Sequence, residues 1–201
     1  MNKEKNLREY DKHTSAVFCK TTESFGGLSN MASGYPLIVN GEKIRYSEAL
    51  YQACRFPDYP EIQYAIIKEA SPMAAKMISR QNIHLSRPDW DKVRFKIMYW
   101  CITVKLLQNW EKFSNLLLST ESKDIVEYSI KDNIWGAMPQ PNGTLKGVNA
   151  LGRLLMQLRA EYILNASAKQ ILTPPEIEDF KLFGKDVETI YRVETIPETL
   201  F

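Results

Sequence analysis

The segment from Asp89 through Asn109 constrains the fold more than any other part of the chain. Trp90, Val93, Ile97, Cys101, Val104 and Gln108 recur there near 3.6-residue spacing, the period at which side chains share one face of an α-helix. The remaining residues must therefore pack around one long central helix. The chain is large enough to do so: its 201 residues, 44% hydrophobic and 25% charged, bury roughly 70% of their surface on folding by ordinary scaling. The longest apolar stretch, Ile97 to Val104, falls far short of the roughly 20 residues that cross a bilayer.

Shorter elements flank this helix. Residues 1–14 are polar and unpatterned and are expected to be a flexible N-terminus. Ala16-Val17-Phe18-Cys19 reads as a short strand. Pro36 to Val39 and Glu42 to Tyr46 read as a hairpin, because Asn40-Gly41 supplies the positive φ angles of a type I′ turn. Ser47 is the expected N-cap of a short helix over Glu48 to Phe56, which Pro57 and Pro60 end. Further helix starts lie at Pro60 and at Ser71-Pro72. Phe113, Leu116 and Leu117 mark another helix, and Asp124 to Ser129 a short strand. Lys131 to Gly147 reads as loop. Asn149 is the expected cap of a last helix whose Leu151, Leu154, Leu155 and Leu158 form a buried stripe. The mixture is α+β and helix-dominated, with one compact domain expected over residues 15–168. Pro174-Pro175 sets off a C-terminal arm, residues 169–201.

Charge and reactive residues exclude several classes. Twenty-six Lys and Arg against 24 Asp and Glu leave +2, too little for long-range attraction to phosphate, so any nucleic-acid contact must be local. Cys19, Cys54 and Cys101 are an odd, widely spaced set, and His13 and His84 are the only histidines. These spacings assemble no zinc site and no Cys–His nucleophile pair. The thiols read as small buried hydrophobes in a reducing cytosol. The opening MNKEKNLREYDKH has no apolar core of a signal peptide, and a cytoplasmic protein is expected. No P-loop, dinucleotide-binding glycine fingerprint, Gly-x-Ser-x-Gly elbow or His-Glu-x-x-His occurs; no metal or cofactor is expected.

What remains is a set of polar and aromatic residues at element ends, where sites are usually built: Ser29-Asn30, Glu48, Tyr51-Gln52, Ser71-Pro72, Trp90, Asp132, Trp135-Gly136 and Asn149. The blocks GGLSNMA, SEALYQACRF, ASPMAAKM, RPDWDKVR, DNIWGA and GVNALGRLLMQLR occur in that order. Together they closely resemble the NADAR (YbiA-like) family over about residues 16–160. The resemblance implies a compact α+β domain that recognises ADP-ribose-like or ribosylamino compounds and cleaves an N-glycosidic bond. FGGLSNMA, SEALYQA and GVNALGRLLM look most like the branch that accompanies DarT-type toxins. That branch removes ADP-ribose from guanine in DNA, so ADP-ribosylated DNA, the ADP-ribose product and a cognate toxin are the partners it implies. The alternatives are an N-glycosidase of riboflavin-pathway ribosylaminopyrimidine phosphates and a non-catalytic ADP-ribose reader.

Cleaving a ribosyl C–N bond builds positive charge at the anomeric carbon, so a carboxylate is needed to stabilise it or to activate water. Matched motif by motif, the resemblance puts Glu48, Trp90 and Asp132 in the catalytic set, with Lys20 added as a phosphate or Schiff-base group. The expected substrate contacts are Tyr51, Gln52, Arg55 and Phe56 of the second block, Ser71-Pro72 of the third, and Gly27, Ser29 and Asn30 of the first. Trp135, Gly136, Asn149, Gly152 and Arg153 complete them.

Each assignment has a plainer reading beside it. Glu48 in a first helical turn complements the helix dipole in any protein, and Asp132 can simply close a turn. Trp90 continues an apolar stripe, whereas Trp135 beside Gly136 suits stacking on a base. Gln52, four residues after Glu48, can bond either that carboxylate or a ribose hydroxyl. Gly26-Gly27 with Ser29-Asn30 either turn the chain toward a diphosphate or merely turn it. Asn149, Gly152 and Arg153 open a helix whose N-terminus either binds an anion or is only capped. Arg55, Lys68, Lys76 and Arg80 lack interleaved aromatics and read as solvated faces rather than a DNA track.

Overall fold

The computed structural model describes residues 6–163 and 170–193. In chain order the elements are β1 (Arg8–Tyr10), β2 (Ala16–Phe18), β3 (Leu37–Val39), β4 (Glu42–Ile44), α1 (Ser47–Ala53), α2 (Pro60–Lys68), α3 (Pro72–Gln81), α4 (Trp90–Gln108) and α5 (Trp110–Leu118). There follow β5 (Ile125–Glu127), β6 (Met138–Pro139), β7 (Leu145–Gly147), α6 (Ala150–Leu158), β8 (Ile171–Leu172), β9 (Lys181–Leu182), β10 (Lys185–Asp186) and β11 (Ile190–Tyr191). Helices dominate and the strands are short, an α+β fold. No helix among the described residues is long and apolar enough to cross a membrane. The chain divides into two compact units, Met1–Ser29 with Ser114–Ala168 and Asn30–Phe113 with Lys169–Phe201.

In the first unit β2 pairs parallel with β5, Ala16 opposite Ile125, and β1–β7–β6 form an antiparallel sheet. Sequence reasoning expected Arg8–Tyr10 to fray and 131–147 to be loop. Instead Tyr10 pairs with Leu145, and both join Val126 and Ala137 in a small apolar core. Strands of two or three residues, one ending in Gly147 and one in Pro139, carry too little alternation to be read from sequence. The α6 stripe forms with Leu151, Leu155 and Leu158 buried and Leu154 half-buried. Arg159, just beyond it, fastens the 120–123 turn by donating to the Thr120 hydroxyl and to the Lys123 carbonyl.

In the second unit α4 is the central helix that the spacing predicts, with one difference. Its first half is one-sided, but from Ile97 to Gln108 every residue except Tyr99 is buried, the pattern of a helix surrounded by protein. That burial takes in Lys105, whose ammonium lies 4.3 Å from the Tyr35 ring and 4.4 Å from the Phe113 ring. The β3–β4 hairpin turns at Asn40-Gly41, both at positive φ. The described part of the C-terminal segment, 170–193, packs within this unit. Phe180 meets Trp100 edge-on, Gln63 accepts a hydrogen bond from the Phe183 amide and donates to the Lys181 carbonyl, and Asn40 donates to the Leu182 and Asp186 carbonyls. Residues 164–169 and 194–201 lie outside the described residues.

Candidate active site

The start of α1 shows how the chain positions Glu48. Tyr46, extended at φ −137°, takes the N-cap place expected for Ser47. Ser47 lies inside the first turn, and its hydroxyl reaches Asn30, 3.2 Å from the backbone oxygen and 3.1 Å from Oδ1. The Glu48 amide donates to the same Asn30 carbonyl at 3.1 Å, satisfying a donor that a helix start leaves open. Asn30 Nδ2 donates to the Met98 sulfur of α4. Asn30, expected to hold substrate, spends its polar atoms on seating α1 against α4.

The Glu48 side chain is buried on that seated helix. Gln52 Nε2 donates to Glu48 Oε1 at 2.9 Å, and Lys76 Nζ, brought by α3, stands 3.9 Å from the same oxygen. Oε2 accepts no hydrogen bond from a described residue. The arrangement is a carboxylate anchored at one oxygen by an amide and a cation, with the other oxygen open to react. Lys76 therefore does more than face solvent. Its role was not legible in the sequence, because α3 reaches Glu48 only through tertiary packing. Ser71 and Pro72, expected to touch substrate, start α3: Ser71 is exposed at the N-cap position, and Pro72 takes the first helical position.

The aromatic part of the site comes from α4 packed against α1. Tyr51, one turn after Glu48, packs its ring 5.0 Å from that of Trp90, and the Arg55 guanidinium lies 4.5 Å over Trp90. Trp90 is buried, yet its indole N–H finds no acceptor among the described residues. Burial, reinforced by the Glu48 charge, pushes the Tyr51 hydroxyl above its ordinary range, so it stays a neutral phenol. The Arg55 carbonyl is held by the Arg87 amide at 2.9 Å, and Arg87 is itself clamped on Asp89, whose carboxyl that hydrogen bond holds below its usual range. Phe56 corrects an expectation: its ring is fully buried and belongs to the core. Arg94, one turn beyond Trp90 on α4, was missed by sequence reasoning, although the i, i+4 spacing from Trp90 could have found it.

The other expected residues lie in the unit Met1–Ser29 with Ser114–Ala168, which uses most of them to hold its own backbone. Asp132 Oδ1 accepts from the amides of Ile134 at 2.8 Å and Trp135 at 2.9 Å, which is turn chemistry. The amides of Gly26, Leu28 and Ser29 are spent inside their own turn, on Glu23, Phe25 and Gly26 carbonyls; that correction leaves no nest of free N–H groups from these three. Lys20 is exposed, with its amide on Glu23; Gly27 is half-buried and Ser29 buried.

The start of α6 is closed in the same way. The amides of Ala150 and Leu151 donate to the carbonyls of Ile134 and Trp135. Asn149 does not cap: its Oδ1 accepts from the Glu127 amide and its Nδ2 donates to Ile125 O, pinning β5. Gly136 and Gly152 are glycines because backbone passes against them; a Cβ would stand 2.5 Å from Glu127 O in the first and would collide with Ile125 O in the second. Trp135 is half-buried and Arg153 is half-buried on α6. Among the described residues no three His, Cys, Asp or Glu side chains group as metal ligands.

Comparison with known proteins now decides the family. The NADAR domain family model matches residues 17–162. The chain belongs to the NADAR family. It is 33% identical over 144 residues to the N-glycosidase YbiA of Escherichia coli (strain K12), spanning 72% of this chain and 86% of that protein. It is also 33% identical over 159 residues to the chloroplastic riboflavin biosynthesis protein PYRR of Zea mays, of which it covers 25%. The NMR structure of E. coli YbiA superimposes with a TM-score of 0.61 at 29% identity, covering 75% of this chain and 89% of that one. In this NADAR chain the SEALYQA block builds the Glu48–Gln52 pair, and the RPDW block supplies the Arg87–Asp89 clamp and Trp90.

Proposed function

We propose that this NADAR protein is an N-glycosidase that hydrolyses the bond between a ribose C1′ and a base nitrogen, with ADP-ribose linked to guanine in DNA as its substrate. The observation that carries the reading is the buried Glu48 carboxylate, held at Oε1 by Gln52 and Lys76 with Oε2 open. Fixed negative charge of this kind favours the positive charge that develops at C1′ as the C–N bond breaks. Water adds its oxygen to C1′, and the proton balance is completed by protonation of the departing nitrogen. The relatives named N-glycosidase support the reaction class. The substrate rests on the spellings FGGLSNMA, SEALYQA and GVNALGRLLM. A DarT-type toxin would be the enzyme whose modification is reversed, in the cytoplasm.

A second substrate, a ribosylaminopyrimidine phosphate, is favoured by the relatives named YbiA and riboflavin biosynthesis protein. The test is parallel incubation of the protein with a guanine-ADP-ribosylated oligonucleotide and with the pyrimidine phosphate, followed by mass spectrometry. Release of ADP-ribose and return of unmodified DNA is the expected result. Hydrolysis of the pyrimidine alone would transfer the assignment to the second substrate, and binding of ADP-ribose without cleavage of either would make the protein a reader.

A further inference from the structure

One guanidinium, that of Arg55, lies over the Trp90 ring, a second, that of Arg94, lies 4.9 Å over the neighbouring Phe95 ring within electrostatic range of Arg55 and Tyr51, and neither makes a hydrogen bond to a described residue. The Arg55 guanidinium carbon lies 4.5 Å from the Trp90 ring centroid. Arg94 stands one turn past Trp90 and comes no closer to a carboxylate than 3.6 Å, from Asp91 Oδ1, whose side chain is 88% exposed. The Nε atoms of Arg55 and Arg94 and the Nε1 of buried Trp90 are all enclosed without an acceptor. Three unmatched donors on one wall are unusual, because buried polar groups in folded proteins are nearly always paired. Two of them are cationic, and burial most of all, with the neighbouring Arg94 charge adding to it, holds the Arg55 guanidinium below its ordinary range. Like charges held side by side and half-buried are stabilised when an anion joins them, and the planar guanidinium fork matches phosphoryl oxygens.

The placement identifies which phosphoryl group fits. Glu48, Tyr51, Gln52 and Arg55 follow one another at roughly helical spacing along α1 and its end, and Tyr51 packs on Trp90. The arginine pair therefore shares a wall with the Glu48 carboxylate. Resting on the reading of Glu48 as the group beside the anomeric carbon, we propose that Arg55 and Arg94 form a subsite for the phosphoryl group on O5′ of the ribose being cleaved. That chemistry has two sources: the terminal phosphate of a ribosyl monophosphate, or the inner phosphate of a diphosphate such as ADP-ribose.

The test is titration calorimetry of ribose 5-phosphate, ADP-ribose and unphosphorylated ribose against the full chain and its Arg94→Gln, Arg55→Gln, Glu48→Gln and Arg80→Gln variants, with thermal melts to verify folding. Arg94→Gln and Arg55→Gln should each weaken the phosphorylated probes by roughly tenfold or more. Arg94→Lys should recover only part of that loss, and Arg80→Gln, exposed on α3, should lose none. Binding of both phosphorylated probes supports a general phosphoryl subsite; binding of ADP-ribose alone supports the diphosphate source, and of ribose 5-phosphate alone the monophosphate. Equal affinity of the wild type and a folded Arg94→Gln variant overturns the proposal, as does failure of the wild type to bind either phosphorylated probe. The two readings fail separately. Arginine-dependent binding without hydrolysis would remove the enzyme and leave the subsite, whereas hydrolysis with an unchanged KM in Arg94→Gln would remove the subsite and leave the enzyme.

Discussion

Gln52 donates to Glu48 from one helical turn away, 2.9 Å between Nε2 and Oε1, and both side chains are more than nine-tenths buried. Because the pair lies on one helix, α1 carries the carboxylate already oriented, and little freedom remains to be lost when a substrate arrives. Lys76 then adds a cation from a second helix.

Glu48→Gln keeps the shape of the side chain and removes its charge. Turnover should fall by about 10²- to 10³-fold or more, while calorimetric affinity for ADP-ribose changes by only a small factor, since a transition-state interaction contributes little to ground-state binding. Turnover within a factor of three of wild type would remove Glu48 from the chemistry.

Gln52→Leu leaves the carboxylate but frees its Oε1. We expect kcat to fall by roughly tenfold with KM little altered, because the carboxylate is no longer held in one orientation. A rise in KM alone would mean that Gln52 contacts substrate instead.

Asp132 separates turn from chemistry. Asp132→Asn retains an oxygen for the Ile134 and Trp135 amides, so it should melt like wild type; Asp132→Ala should lose about 1 to 2 kcal/mol. Activity lost in Asp132→Asn at unchanged melting temperature would give the carboxylate charge a catalytic role, and activity retained would leave it as turn chemistry.

Asn149→Gly keeps the left-handed backbone at φ 50° but deletes the hydrogen bonds to Glu127 and Ile125. A loss of about 2 to 3 kcal/mol in urea unfolding is expected, with KM unchanged in the folded fraction. A variant as stable as wild type would contradict the pinning role.

Lys105 makes stability depend on pH. Burial, with a smaller contribution from Lys112, holds its ammonium well below the usual lysine range, so the unfolded chain takes up this proton at higher pH than the folded one. Stability from this group is full above about pH 10.4, the ordinary lysine value, and is lost as pH falls toward the folded value. Contacts with the Tyr35 and Phe113 rings offset part of the cost. Lys105→Met should therefore raise the melting temperature at pH 7 and flatten its rise between pH 7 and 10. A lower melting temperature in the variant would show that the ring contacts outweigh burial.

Several features were legible because they are local. The spacing of α4, the Asn40-Gly41 hairpin, the proline starts of α2 and α3, and Gln52 four residues after Glu48 depend only on residues within a few turns of one another. The blocks that carry the family resemblance are likewise contiguous, and the family match covers them. Strands β1, β6 and β7 were not legible, since their pairing partners, not their own two or three residues, make them strands.

The sequence by itself determined the helix faces, the α+β class, the family and the position of Glu48 in a first helical turn. Only the tertiary structure decided what those residues do. Asn30 seats α1, Asn149 pins β5 and Gly152 yields to Ile125, because each meets a backbone group far away in sequence. Lys76 was placed beside Glu48, and the Nε atoms of Arg55, over Trp90, and of Arg94, over Phe95, were left without acceptors, by the packing of α1 with α3 and α4. Periodicity states which face of a helix turns inward. Which charge is neutralised there, and which is left for a ligand, depends on distances of a few ångströms between chain segments that no local pattern encodes.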